Sequence, residues 1–217
     1  MSTLNKQQQE LLKPVQALEY LKEGNRRFVT NIKMHLDLMK QVLDTAEAQY
    51  PYAAIVSCMD SRNSNELIFD QGIGDIFSIR IAGNVITEDI LGSLEFACKI
   101  AGSKMIVLLG HTRCGAIQGA CDGVQLGHLS DLLRKIHPAI EAETTVTQDR
   151  HGRNHDFVRK VAELNARLSL QQIISLSPIL KELIENGTIG VIAALYHVET
   201  GIVDFFEDTL ILDGKSV

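Results

Sequence analysis

The chain has 217 residues, 45% hydrophobic and 22% charged, a composition that lets one α/β domain with a helical arm bury its core without staples. A net charge of −6 and the lack of any basic run exclude a nucleic-acid surface, and no apolar stretch reaches the roughly 18–20 residues that span a bilayer. Four cysteines are too few for a disulfide framework, so in a reducing compartment they point to metal binding or catalysis.

Met1 to Glu10 is polar and glutamine-rich, with no apolar segment ahead of a cleavage site, and the expected location is the cytoplasm. Residues 14–48 are expected to be helical. Pro14 suits a first turn, Val15, Leu18 and Leu21 share a face until Gly24-Asn25 interrupts, and Leu36, Met39, Val42, Leu43 and Ala46 resume the spacing. Four apolar runs follow, Ala53–Val56, Ile76–Ile81, Met105–Leu109 and Ile189–Leu195, each reading as a strand buried on both faces of a parallel sheet. Helical stripes separate them. Thr87 caps one carrying Leu91, Leu94, Cys98 and Ala101, closed by Gly102. Leu129, Leu132, Leu133, Ile136 and Ile140 form a second stripe, and Phe157, Val161, Leu164 and Leu168 a third. Ser177-Pro178 opens a last helix ending at Asn186-Gly187, and Glu199-Thr200-Gly201 turns the chain into residues 202–206 as an antiparallel edge strand. No repeat or linker divides the chain. The expectation is α/β: a single domain over 1–217 with a central, mostly parallel sheet flanked by helices, a helical arm at 1–50 and an α/β core at 51–217.

In such sheets ligands bind beyond the carboxyl ends of the strands, and two clusters fall there. Cys58-Met59-Asp60-Ser61-Arg62 follows the first strand, and His111-Thr112-Arg113-Cys114-Gly115 follows the third. Cys58, His111 and Cys114 make a soft N/S set that favours zinc over magnesium or calcium, and three protein ligands leave a fourth tetrahedral position open, as catalytic sites do. A structural zinc wants a fourth such ligand, but Cys121 lies two helical turns beyond Cys114, roughly 10 Å away. Cys98 sits in an apolar stripe and reads as core; His151 and His155 fall in a glycine-broken polar stretch and read as a solvated loop.

The pairing of Cys58-x-Asp60-x-Arg62 with His111-x-x-Cys114-Gly115 resembles the signature of the β-class carbonic anhydrases, bacterial members above all. Ile68–Gly72, Arg80–Asn84 and Tyr196-x-Val198-Glu199-Thr200-Gly201 resemble further family stretches in order, so the likeness covers roughly residues 15–206. The resemblance implies reversible hydration of carbon dioxide to bicarbonate and a proton by zinc-bound hydroxide, with one Zn2+ per chain on Cys58, His111 and Cys114. It also implies that Arg62 orients Asp60 to accept a hydrogen bond from the nucleophile, or that Asp60 leaves Arg62 in a closed state and becomes a fourth zinc ligand. Gln71, Gly83 and Tyr196 are its substrate-side candidates, some of them serving a neighbouring subunit, and a homodimer or higher homo-oligomer is the expected assembly. The sequence departs from the family at Asn63-Ser64-Asn65, where valine and then a small residue or proline are common, and at His197, where aspartate is common. His197 reads either as a proton shuttle or as an exposed strand-end residue. Two other functions share the scaffold: hydrolysis of carbonyl sulfide or carbon disulfide, and a non-catalytic zinc- or bicarbonate-sensing module.

Overall fold

A computed structural model describes residues 3–212 and 214–216. Three helices come first: α1 (Lys6–Leu11), α2 (Pro14–Val29) and α3 (Leu38–Asp44). Then follow β1 (Ala53–Ser57), α4 (Asn65–Ile68), β2 (Ile76–Arg80), α5 (Glu88–Glu95), β3 (Met105–His111), α6 (Gly115–Cys121), α7 (Gly127–Arg134), α8 (His137–Ala142), α9 (His155–Leu176) and α10 (Pro178–Glu185). The chain closes with β4 (Gly190–Tyr196), β5 (Val203–Phe205), β6 (Ile211–Leu212) and β7 (Lys215–Ser216).

All seven strands form one sheet in the order β2-β1-β3-β4-β6-β7, with β5 also pairing to β4. β2, β1, β3 and β4 run parallel; β5 pairs antiparallel with β4, as the turn at 199–201 predicts, and β6, not expected from sequence, also pairs antiparallel with β4. Every residue of β1, β3 and β4 is buried, which explains their uninterrupted apolar runs. Alternation along each strand splits the core. Ile55, Met105, Val107, Leu109 and Ile192 face Ala17, Leu18 and Leu21 of α2, while Val56, Ile106, Leu108 and Val191 face Leu94, Leu170, Ile173, Leu180 and Leu183 from α5, α9 and α10. Among the described residues no helix is long and apolar enough to cross a membrane.

The arm differs from the helix read over 14–48. An Asn5–Gln8 capping box starts α1 before Pro14. α2 passes through Gly24-Asn25 without a break and stops at Val29, after which Asn31 turns left-handed (φ 56°) and residues 32–37 are not helical. Gly24 is there for closeness, because a Cβ on it would lie 1.8 Å from the Phe69 carbonyl oxygen. Asn25 is buried and bonds the Ile68 and Gly201 carbonyls and the Val203 N–H, tying the arm to the sheet edge. The stripe read over 129–140 is two helices: α7 ends at Arg134, and Pro138 lies in the first turn of α8. The Thr87 cap on Ile90 and the Ser177 cap on Leu180 are both present, and α5 is prolonged by a π-helical turn over Phe96–Ile100.

Candidate metal centre

The parallel register brings the two clusters together. Ser57 pairs with Leu109 and His111 with Tyr196, so Cys58 follows β1 directly while His111 ends β3. Cys114 lies at the start of α6. One ligand atom from each of Cys58, His111 and Cys114 lies within 4.8 Å of the others, and all three residues are buried. The Cys58 and Cys114 sulfurs stand 3.8 Å apart.

Three observations show that this trio fits a thiophilic metal ion. The Nδ1 of His111 is engaged with the Thr112 carbonyl oxygen at 2.9 Å; as donor to that oxygen, the ring presents a bare Nε2. That Nε2 is buried with no hydrogen-bond partner among the described residues, a costly state unless the lone pair is used. The thiol pair is strongly divided: the hydrogen bond from Cys114 pulls Cys58 down to about 4, while that bond and burial push Cys114 well up. The pair is thus a thiolate beside a thiol that donates to it; holding both sulfurs as thiolates this close would need a cation between them, which a divalent ion supplies. The Gly83 N–H donates to the Cys58 sulfur at 3.4 Å. Gly83 is left-handed (φ 66°), and a Cβ there would meet Ile136 Cδ1 at 2.9 Å, so this approach requires glycine. Its carbonyl is held by Asn165 of α9 at 2.9 Å.

Asp60 lies beside the trio but bonds elsewhere. Its two carboxylate oxygens accept from Nε and Nη2 of Arg62 at 2.9 and 2.8 Å, a bidentate fork. The hydrogen bonds from Arg62 lower the Asp60 carboxyl to about 2, against the opposing effect of burial. Arg62 also donates to the Arg113 carbonyl at 3.3 Å. Arg80 holds the other side of this loop through the Cys58 and Asp60 carbonyls, at 3.2 and 2.7 Å. Tyr196 is buried at the end of β4, level with His111, and burial raises its phenol. Gln71 is not brought to the trio within its own chain: its amide donates to the Phe69 carbonyl at 2.5 Å, and it lines a cavity with Tyr20, Arg27 and Tyr52 on the arm side. His197 pairs with Asp204 at 2.8 Å, and Cys98 is core. Asn63 is fully buried with neither side-chain amide atom bonded among the described residues.

Some contributors have no role assigned to them from sequence. Asn165 left a signal, as a polar residue on the buried face of α9 among Val161, Ala162, Ala166 and Ser169. Thr112 and Arg113 were marked only by lying between two ligands, and nothing in the sequence pairs Glu199 with them.

The sequence profile of the carbonic anhydrase family matches residues 53–203. Carbonic anhydrase 2 of Mycobacterium tuberculosis is 34% identical over 200 residues, spanning 87% of this chain and 90% of that protein. The carbonic anhydrase of Mycolicibacterium smegmatis is 32% identical over 200 residues, spanning 88% and 92%. Among solved structures, the Coccomyxa β-carbonic anhydrase in complex with acetazolamide superposes with a TM-score of 0.69 at 23% identity, over 87% of this chain and 86% of that one. A tetrameric β-carbonic anhydrase of Sordaria macrospora gives 0.68 at 22%, over 88% and 97%. With its Cys-His-Cys trio, its parallel sheet and these relatives, the chain belongs to the β-class carbonic anhydrase family.

Proposed function

We propose that the protein is a zinc-dependent carbonic anhydrase that reversibly hydrates carbon dioxide to bicarbonate and a proton. The observation that carries this reading is the buried trio of Cys58, His111 and Cys114 beside a carboxylate, Asp60, aimed by a two-pronged arginine. One Zn2+ per chain would be held by the two sulfurs and by Nε2 of His111. When bound, zinc supplies a Lewis acid that lowers the pKa of a water molecule toward neutrality.

The chain's own residues do the rest. Asp60, kept ionised by Arg62, accepts a hydrogen bond from the attacking water and turns its lone pair toward the substrate carbon. Arg62 stops the carboxylate from rotating, and Arg80 fixes the backbone that carries it. The Thr112 carbonyl fixes the ring of His111, and the Gly83 N–H offsets charge on Cys58. We assign Tyr196 and the backbone of Gly83 to the substrate side, where carbon dioxide needs a narrow, mostly apolar space with a donor or two. Gln71, its amide spent on Phe69, is assigned only to a neighbouring subunit's site.

We further propose a homo-oligomer, supported by the arm's exposed apolar side chains: Leu11, Ile32, Met39 and Leu43 are each 68–74% exposed. Thiolate ligands need a reducing compartment, and we place the protein in the cytoplasm. The test of substrate is a comparison of proton release from carbon dioxide with sulfide release from carbonyl sulfide and carbon disulfide, using zinc-loaded protein. Turnover of carbon dioxide at least about 10²-fold faster supports the reading; preference for either sulfur compound overturns it.

A further inference from the structure

The ligands His111 and Cys114 are joined by only two residues, Thr112 and Arg113, and both are gripped by one side chain from another part of the chain. Glu199, in the turn between β4 and β5, accepts from the Thr112 hydroxyl through Oε2 at 2.6 Å and from Arg113 Nε through Oε1 at 2.5 Å. The Thr112 hydroxyl accepts in turn from the Val198 N–H at 3.0 Å, and the Thr112 N–H donates to the Tyr196 carbonyl at 2.9 Å.

Each gripped residue presents its carbonyl to the centre. That of Thr112 meets His111 Nδ1, and that of Arg113 accepts from Arg62, which orients Asp60. Arg113 is left-handed (φ 54°), a conformation that costs a non-glycine residue energy and persists only where its surroundings hold it. An isolated surface ion pair would do none of this. Here the acid also bonds the hydroxyl of a buried residue, Thr112, which is 5% exposed.

We propose that Glu199 is a positioning residue for the metal centre: through Thr112 and Arg113 it sets the orientation of His111 and the spacing of His111 to Cys114. This rests on the zinc reading above. Glutamine is close in shape to glutamate. Its oxygen can accept from Arg113 and its NH2 can donate to the Thr112 hydroxyl, which has a second lone pair. Geometry can therefore be separated from charge.

The test is a titration of zinc-loaded full-length protein with a competing chelator, which reads the zinc dissociation constant directly and needs no turnover. Glu199→Ala is expected to raise that constant about 10-fold or more, the usual range for partners behind a ligating histidine, and Glu199→Gln to stay within about threefold of the parent. Thr112→Val should raise it similarly, and the double variant Glu199→Ala/Thr112→Val should be no worse than the worse single one, because both cut the same chain of bonds. The melting temperature of the zinc-free proteins is recorded alongside. An unchanged zinc constant in Glu199→Ala, whatever its melting temperature, overturns the proposal, as does Glu199→Gln failing as badly as alanine. A parent protein that binds no zinc overturns the metal reading itself, and this inference with it.

Discussion

Asp60 shows how one contact sets a residue's chemistry. Arg62 lowers its carboxyl from the ordinary 3.8 to about 2, while burial pushes the other way. Removing the Arg62 side chain takes away the largest lowering influence and leaves burial opposed only by the backbone N–H of residue 62 and by His111. In Arg62→Ala the Asp60 carboxyl should therefore titrate clearly above about 2 in zinc-free protein, followed by carboxyl NMR. A value still near 2 would show that Arg62 is not the cause. A carboxyl lowered by folding adds stability that is complete above 3.8 and is lost as pH falls through about 2. The melting-temperature advantage of zinc-free parent protein over Asp60→Asn should accordingly shrink as pH drops from about 5 to about 2.5; an advantage constant over that range would contradict the assignment. Asp60→Ala should cut turnover about 10²-fold or more while each chain still carries its metal, since the carboxylate lies outside the Cys58-His111-Cys114 trio proposed to hold it. Unchanged turnover in that variant would remove Asp60 from the mechanism.

At the scale of elements, glycine and asparagine in α2 read in sequence as an interruption, yet the helix runs through them. Gly24 costs helix propensity, about 1 kcal/mol relative to alanine, but alanine would press its Cβ to 1.8 Å from the Phe69 carbonyl oxygen. Gly24→Ala should therefore destabilise the protein by about 1–3 kcal/mol or more, read by denaturant unfolding, although it improves the isolated helix. A stabilised variant would refute the close packing of α2 on the 69–71 segment. Strands β1, β3 and β4 were legible because burial on both faces writes an uninterrupted apolar run, whereas β2, at the sheet edge, is only partly buried and carries Ser78 and Arg80. The trio was legible because metal chemistry permits few residue types at strand ends. The break after Val29 and the grip of Glu199 were not, because they depend on a local backbone turn and on partners distant in sequence. The split of α7 from α8 did have a sequence signal, Pro138 inside the apolar stripe.

For the whole molecule, the arm carries an apolar surface that its own sheet does not cover. α3 is amphipathic by sequence, yet Leu38, Met39 and Leu43 are 52–73% exposed. Leu38→Glu/Leu43→Glu should shift the assembly toward monomer, measured by sedimentation velocity, if this face joins subunits; an unchanged mass would place the interface elsewhere. The central claim is that one buried Cys-His-Cys set with an aimed carboxylate turns over carbon dioxide. Stopped-flow carbon dioxide hydration by zinc-loaded protein at pH about 8.5, beside a Cys114→Ser variant, tests it most directly. The account predicts fast turnover in the parent at one zinc per chain, and loss of both zinc and turnover in the variant. No turnover in a fully zinc-loaded parent, or undiminished turnover without Cys114, would contradict it.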